Sequence, residues 1–146
     1  MRSALGVIVG YILMFVLQVA AFMTIYSVMG ANWSFKPASY QASTRWTLMQ
    51  FVVLFVTAAI AGLVCAIIAK GGKATLVLAA VVLVLGFALG VASTAMRPAD
   101  THEVRTGNAA NMEAMSKARH PLWVVFLGPV VAAVGVLAGG KLKRRT

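Results

Sequence analysis

Residues 47–96 decide the fold: TLMQFVVLFVTAAIAGLVCAIIA-KGGK-ATLVLAAVVLVLGFALGVASTAM. Two apolar runs, about 47–69 and 74–96, flank a four-residue connection. At about 1.5 Å of helical rise per residue, each run is long enough to cross a hydrocarbon core of about 30 Å. Unpaired strand edges are not tolerated in lipid, so each run is predicted to be a helix. The short connection predicts that the two helices are antiparallel neighbours.

Two further apolar runs lie outside this hairpin, at about 4–29 and 122–139. The first begins after Arg2 and stays apolar beyond a cleavage-like VAA, which favours an uncleaved span over a signal peptide. The fourth contains Pro129, which predicts a bend there. The chain is therefore predicted to be an all-α integral membrane protein: a single domain built as a four-transmembrane-helix bundle with long polar loops at 30–46 and 97–121.

Composition supports a membrane location. Of 146 residues, 61% are hydrophobic and 11% are charged, whereas soluble domains carry about 25% charged residues. The net charge of +10 is interpreted as basic flanks that orient the spans and meet anionic lipid head groups, rather than as a nucleic-acid site. The bases nearest the span ends favour two cytoplasmic termini, and the compact loops with alanine- and valine-rich spans favour a bacterial inner (plasma) membrane.

The spans lack the residues that most membrane chemistry requires. No Asp, Glu, Lys, Arg or His occurs within the four runs, and such residues at membrane depth are the usual sign of function. This argues against proton-coupled exporters that use a buried glutamate and against a b-type haem. The single cysteine, Cys65, cannot form an intrachain disulfide or a CxxC pair. The prediction is a protein that is not an enzyme and holds no cofactor or metal.

Small residues recur at the spacing that lets membrane helices approach closely. Three runs contain GxxxG and the second has a looser version. The residues predicted to form a helix-packing or partner interface are Gly6, Gly10, Gly62, Gly86, Gly90, Gly135 and Gly139. Two interpretations remain open: packing within the bundle, or a face at Gly86 and Gly90 that meets another subunit.

One amide lies near the middle of the first span. Gln18 needs a hydrogen-bond partner there, worth about 0.6–2 kcal/mol. The simpler interpretation is a bond to a neighbouring helix. The functional interpretation makes Gln18, with Tyr11 and Pro129, the lining of a pore or pocket.

The third loop, RPADTHEVRTGNAANMEAMSKARHP at 97–121, holds all three acids and both histidines. HEVRT lacks the second histidine of HExxH, so no metal site is predicted. DTHE resembles a capping box, and NMEAMSKAR is predicted to be a short helix on the membrane surface, ended by Pro121. The acids are expected to pair with Lys36 and Arg45 of the first loop. The two loops would then form an outer docking cap with Asp100, His102, Glu103, Met112, Glu113 and Met115.

The function predicted first is that of an accessory, assembly or stabilising subunit of a larger membrane complex. The partners expected are other membrane subunits or a second copy of the chain. The alternative is a small homo-oligomeric transporter or channel. A third hypothesis is a membrane enzyme that uses His102, Glu103 and Glu113. Tyrosines and tryptophans near the long loops are expected to form an aromatic belt at the membrane interface.

Overall fold

A computed structural model of the chain describes residues 2–70, 72–96 and 110–145. These residues form six helices and, within the described ranges, no strand. The helices are α1 (Arg2–Met29), α2 (Ala31–Ser34), α3 (Thr44–Ala69), α4 (Gly72–Ala95), α5 (Asn111–Lys117) and α6 (Leu122–Arg145). Four of them, α1, α3, α4 and α6, are long and apolar enough to cross a membrane. The described residues are all-helical in fold, as predicted, and their four long apolar helices indicate a multi-pass membrane protein.

The α3–α4 hairpin reverses the chain sharply. Lys70 follows α3 with a φ of 52°, a left-handed conformation that commonly ends helices, and α4 begins at Gly72. However, α3 and α4 each pack more extensively against α6 than against one another. The two helices do contact one another, as expected for neighbours joined by a short connection. A short connection sets the direction of two helices, but the small residues of α6 determine which helices approach most closely.

The contacts between the long helices define their directions. Thr75 lies beside Gly140, and Gly90 beside Val125, so α4 and α6 are antiparallel. Lys143 near the end of α6 donates a hydrogen bond to the Ala66 carbonyl near the end of α3, so α3 and α6 run parallel. Gly6, near the start of α1, lies beside Ala69 at the end of α3. The start of α1 and the end of α6 therefore lie at the face that holds the short α3–α4 connection. The long loops lie at the opposite face.

The main core lies between these four helices. Leu78, Val136 and Cys65 are fully buried at its centre, and small residues such as Ala58 and Ala61 fill the space between them. In its candidate span α1 is the least covered helix, with 17% of the span buried against 39% for α6. Thus α1 is the peripheral helix of the bundle.

The fourth spanning helix is longer than the predicted run. It continues past Gly139 to Arg145 and runs through Pro129 without a break. Gly139 and Gly140 are tolerated in the helix because both are packed against neighbouring helices, which offsets their low helix propensity. The ring of Pro129 faces Gly86 on α4, so the proline takes part in helix packing.

Candidate functional sites in the bundle and the outer cap

Glycines bring α3 and α6 into backbone contact. A Cβ atom added at Gly62 would overlap the carbonyl group of Val136, and one added at Gly139 would overlap the carbonyl of Ala59. A Cβ at Gly135 would lie 2.7 Å from the carbonyl oxygen of Phe55. Real Cβ atoms do not approach this closely, so these three positions exclude any larger residue unless the helices move apart.

Glycines also join the start of α1 to α3. A Cβ at Gly6 would lie 3.0 Å from the carbonyl oxygen of Cys65, and one at Gly10 would lie 2.9 Å from a Leu78 methyl carbon and 3.2 Å from the Ala61 oxygen. The first and third helices are therefore tightly packed at this end. The contact between Gly10 and Leu78 also closes the gap between α1 and α4 at this depth.

Gly86 and Gly90 face α6 of the same chain. A Cβ at Gly86 would lie 2.6 Å from Cγ of Pro129, and one at Gly90 would lie 3.0 Å from a methyl carbon of Val125. The face at Gly86 and Gly90, one of whose two interpretations was contact with another subunit, is thus covered by α6. A partner subunit would have to contact another face of the bundle.

Farther from the termini, α1 and α4 enclose a cavity of about 450 Å³, here called the lateral cavity. Its lining residues come from all four long helices and carry no charge: Tyr11, Met14, Phe15, Gln18, Leu54, Val82, Gly86, Leu89, Gly90, Ser93, Val125, Gly128, Pro129 and Ala132. The three residues that the sequence assigned to a pore or pocket, Gln18, Tyr11 and Pro129, all belong to this lining. Phe15 and Leu89 are strongly exposed, so the cavity opens sideways between α1 and α4.

The Gln18 amide is the main polar group of this lining. Its Nε2 atom is buried and has no hydrogen-bond partner within the part of the chain that the structure describes. The predicted bond to a neighbouring helix is therefore not made by this nitrogen. The hydroxyl of Ser93, by contrast, donates to the carbonyl of Gly90 at 2.8 Å. An unpaired buried donor costs about 1–3 kcal/mol, so an acceptor that reached this nitrogen would be stabilising.

The two long loops fold together at the opposite end of the bundle. The described residues 30–46 and 110–121 are called the outer cap. The backbone N–H of Ala42 donates to the Arg119 carbonyl at 2.9 Å, and that of Arg119 donates to the Tyr40 carbonyl at 2.9 Å. Ser43 caps α3 by accepting from Trp46 N–H at 3.1 Å, and its hydroxyl donates to the Trp33 carbonyl at 2.7 Å. The first loop is thus a folded unit tied to the segment that precedes α6.

Aromatic rings form a second core inside this cap. Tyr26, Phe35 and Tyr40 are buried, and neighbouring ring centroids lie 6.2 Å and 5.8 Å apart with nearly perpendicular planes. Trp46 packs edge-on against Tyr26 and Trp33. Such edge-to-face pairs add about 0.5–1.5 kcal/mol each beyond their buried area. The sequence suggested a membrane-interface belt. The first loop, residues 30–46, holds four aromatic residues within a short span, and that density was the available signal for a core.

Glu113 on α5 links the loops. Its Oε1 atom accepts a hydrogen bond from the Tyr40 hydroxyl at 2.9 Å and lies 3.3 Å from Nζ of Lys117. These two donors, Tyr40 first, hold the pKa of Glu113 below its ordinary value. The ammonium group of Lys117 also lies 5.4 Å from the centre of the Tyr40 ring. The sequence had predicted ion pairs to Lys36 or Arg45, so here a neutral tyrosine replaces the expected base.

The other residues predicted for the cap are only partly described by the structure. Asp100, His102 and Glu103 lie outside the described residues. Met112 is 73% exposed on α5, whereas the side chain of Met115 is also outside what is described. The helix α5 occurs where the sequence predicted one, and its position on a membrane surface stays a prediction. Among the described residues, no group of three His, Cys, Asp or Glu side chains gathers as a metal site.

Comparisons with known protein families, curated proteins and solved structures find no match to this chain.

Proposed function

We propose that the protein is a non-enzymatic integral membrane protein that acts by contact, as an accessory, assembly or stabilising subunit of a larger membrane complex. The proposal includes a bacterial inner membrane, cytoplasmic termini and anionic lipid head groups around the basic residues at that face.

The observation that carries the proposal is the outer cap. A loop that merely joins two spanning helices needs no core of its own, because water can satisfy its backbone. In this chain the first loop buries Phe35 and Tyr40, pairs its backbone with Arg119 and bonds Glu113. A surface that is already ordered loses less conformational entropy when it binds. The cap is therefore suited to recognise a protein partner outside the hydrocarbon region.

The test is the composition of the native particle. The full chain, tagged at its C-terminus, is extracted into lipid nanodiscs and analysed by native mass spectrometry. We expect a foreign membrane subunit in fixed stoichiometry. A clean homo-oligomer would contradict the proposal.

Two substitutions at one position connect the result to the cap. Tyr40→Ala removes a buried ring and should release the foreign subunit. Tyr40→Phe keeps the ring, loses only the hydroxyl, and should retain most of the complex. Protection of Cys65 from a maleimide reports whether the bundle stays folded in both variants, since this thiol is fully buried. Retention of the subunit in Tyr40→Ala with an intact bundle would mean that docking does not use the cap.

A second candidate is a small homo-oligomeric transporter or channel. It is favoured by the convergence of Gln18, Tyr11 and Pro129 on one cavity. A solute flux in proteoliposomes that changes in Gln18→Leu would support this function, and the absence of flux would count against it.

A further inference from the structure

We propose that the lateral cavity is a binding site for a neutral, lipid-soluble small molecule that carries a hydrogen-bond acceptor, such as a ketone, quinone or ether oxygen. This site is distinct from the outer cap, and its occupancy does not depend on the accessory role.

The size and position of the cavity suit a small molecule. About 450 Å³ falls within the range of about 300–1,000 Å³ that is usual for ligand pockets. All four long helices contribute to its lining, so it is a recess in one chain and not a flat face. Its mouth lies between Phe15 and Leu89, both more than half exposed, on a surface that a spanning protein presents to lipid. A ligand would enter from the bilayer.

The lining determines the charge of the ligand. None of the described residues that line the cavity is charged, so an ion would lose its hydration without gaining a counter-charge from them. Most of the lining is aliphatic, aromatic or glycine, which favours an apolar body. The ligand is therefore neutral and largely hydrocarbon.

Gln18 determines the polar part of the ligand. Gln18 is a lining residue of the cavity, and its Nε2 is buried without a partner in the described structure. The two ends of an amide exchange by rotation about the last side-chain bond, so the donor can turn towards the cavity. The polar group it would meet is an acceptor at the depth of Gln18, within the hydrocarbon. Charged phospholipid head groups lie at the membrane surface, away from this depth.

Gly128 offers a means of blocking the site. A Cβ at this lining residue would meet Leu54 at 3.6 Å, an ordinary van der Waals distance. Gly128→Leu should therefore fill part of the cavity, whereas a side chain at Gly86 would strike Pro129. Gln50 provides the matched control for Gln18, because its amide also has a buried atom with no partner among the described residues but does not line the cavity.

The experiment uses benzophenone, a neutral aromatic ketone, as a photolabel of the full chain in proteoliposomes. Its excited carbonyl inserts into nearby C–H bonds, and adducts are mapped by peptide mass spectrometry. Met14 is a lining residue that is 7% exposed, while Met29 is 46% exposed outside the cavity. Binding in the cavity predicts more adducts at Met14 than at Met29. Labelling that follows exposure alone would favour Met29 and overturn the proposal.

The variants test the two parts of the site. A membrane hydrogen bond corresponds to about 3- to 30-fold in affinity, so Gln18→Leu should lower Met14 labelling by that factor. Gln50→Leu should leave it unchanged, and Gly128→Leu should abolish it while Cys65 stays protected. If Gly128→Leu abolishes labelling but Gln18→Leu does not alter it, the cavity binds apolar molecules without selecting an acceptor, and the proposal is wrong. Equal labelling in all variants also refutes it.

Discussion

The closest helix contact in the molecule yields the sharpest stability prediction. Gly139 and Gly128 both lie in α6, but their surroundings differ. A Cβ at Gly139 would overlap the backbone carbonyl of Ala59, whereas one at Gly128 meets a Leu54 side-chain carbon at 3.6 Å. Gly139→Ala and Gly128→Ala are therefore the same substitution in the same helix with opposite expected effects.

The magnitude follows from what must move. The obstacle at Gly139 is a backbone atom, so no change of rotamer relieves it and α3 must separate from α6. A gap of about 0.5–1 Å forfeits about a quarter to a half of the dispersion energy of each contact across it. Overpacking of this kind typically costs about 1–3 kcal/mol. Replacing glycine by alanine inside a helix contributes up to about 1 kcal/mol in the other direction. We expect Gly139→Ala to lose about 1–2 kcal/mol and Gly128→Ala to be neutral or slightly stabilised.

The assay is equilibrium unfolding of the purified protein in mixed micelles, followed by circular dichroism and by tryptophan fluorescence. Because both variants start from the same helix propensity, the difference between them isolates the contact with α3. If Gly139→Ala unfolds at the same denaturant concentration as Gly128→Ala, the backbone contact between α3 and α6 does not restrict the side chain at position 139, and the prediction is refuted.

Three further outcomes are expected. Because the pKa of Glu113 is lowered, its contribution to the cap is present above the pKa of an unfolded glutamate and is lost as pH falls through the lowered value. The protection of the backbone N–H of Ala42, taken as its hydrogen-exchange rate relative to the intrinsic rate at the same pH, should fall in that acid range, and Glu113→Gln should remove this change in protection. Ser43→Ala should lose about 1 kcal/mol of unfolding free energy, measured in the same micelles, because α3 loses its N-cap; an unchanged value would mean that water replaces the cap. A maleimide should label Cys65 only after unfolding in SDS, and rapid labelling of the folded protein would show that the bundle opens around this thiol.

Much of the fold was predictable because the membrane restricts the choices. Long runs without charge at 47–69 and 74–96 have no alternative to helix when water is absent, and the helices α3 and α4 follow them closely. The end of α6 was harder to predict, because glycines such as Gly139 and Gly140 commonly mark the end of a helix. Both glycines remain helical because they pack against α3 and α4, and the periodicity of the sequence does not reveal these contacts.

The candidate sites were also predictable only in part. Gln18 was recognised from its position alone, since an amide in an apolar run is conspicuous. The cavity beside it was not predictable, because its volume depends on how far α1 diverges from α4 beyond Gly10. Likewise, the number of acids in the third loop suggested ion pairs, but the bond between Tyr40 and Glu113 depends on how loop one folds over α5.

The sequence by itself therefore determined that four helices are long and apolar enough to cross a membrane and that their apolar runs lack ionisable residues. These properties follow from composition and from the length of each apolar run, and they do not depend on contacts between distant residues. The tertiary structure decided which helices touch and that Gly86 faces α6. It also decided that Gln18 lines a cavity while its amide nitrogen has no partner among the residues that the structure describes. In lipid, apolar side chains gain little by leaving the lipid tails for one another, because both are apolar. Helix pairing therefore depends on how closely the helix surfaces fit. That shape exists only when the helices are assembled.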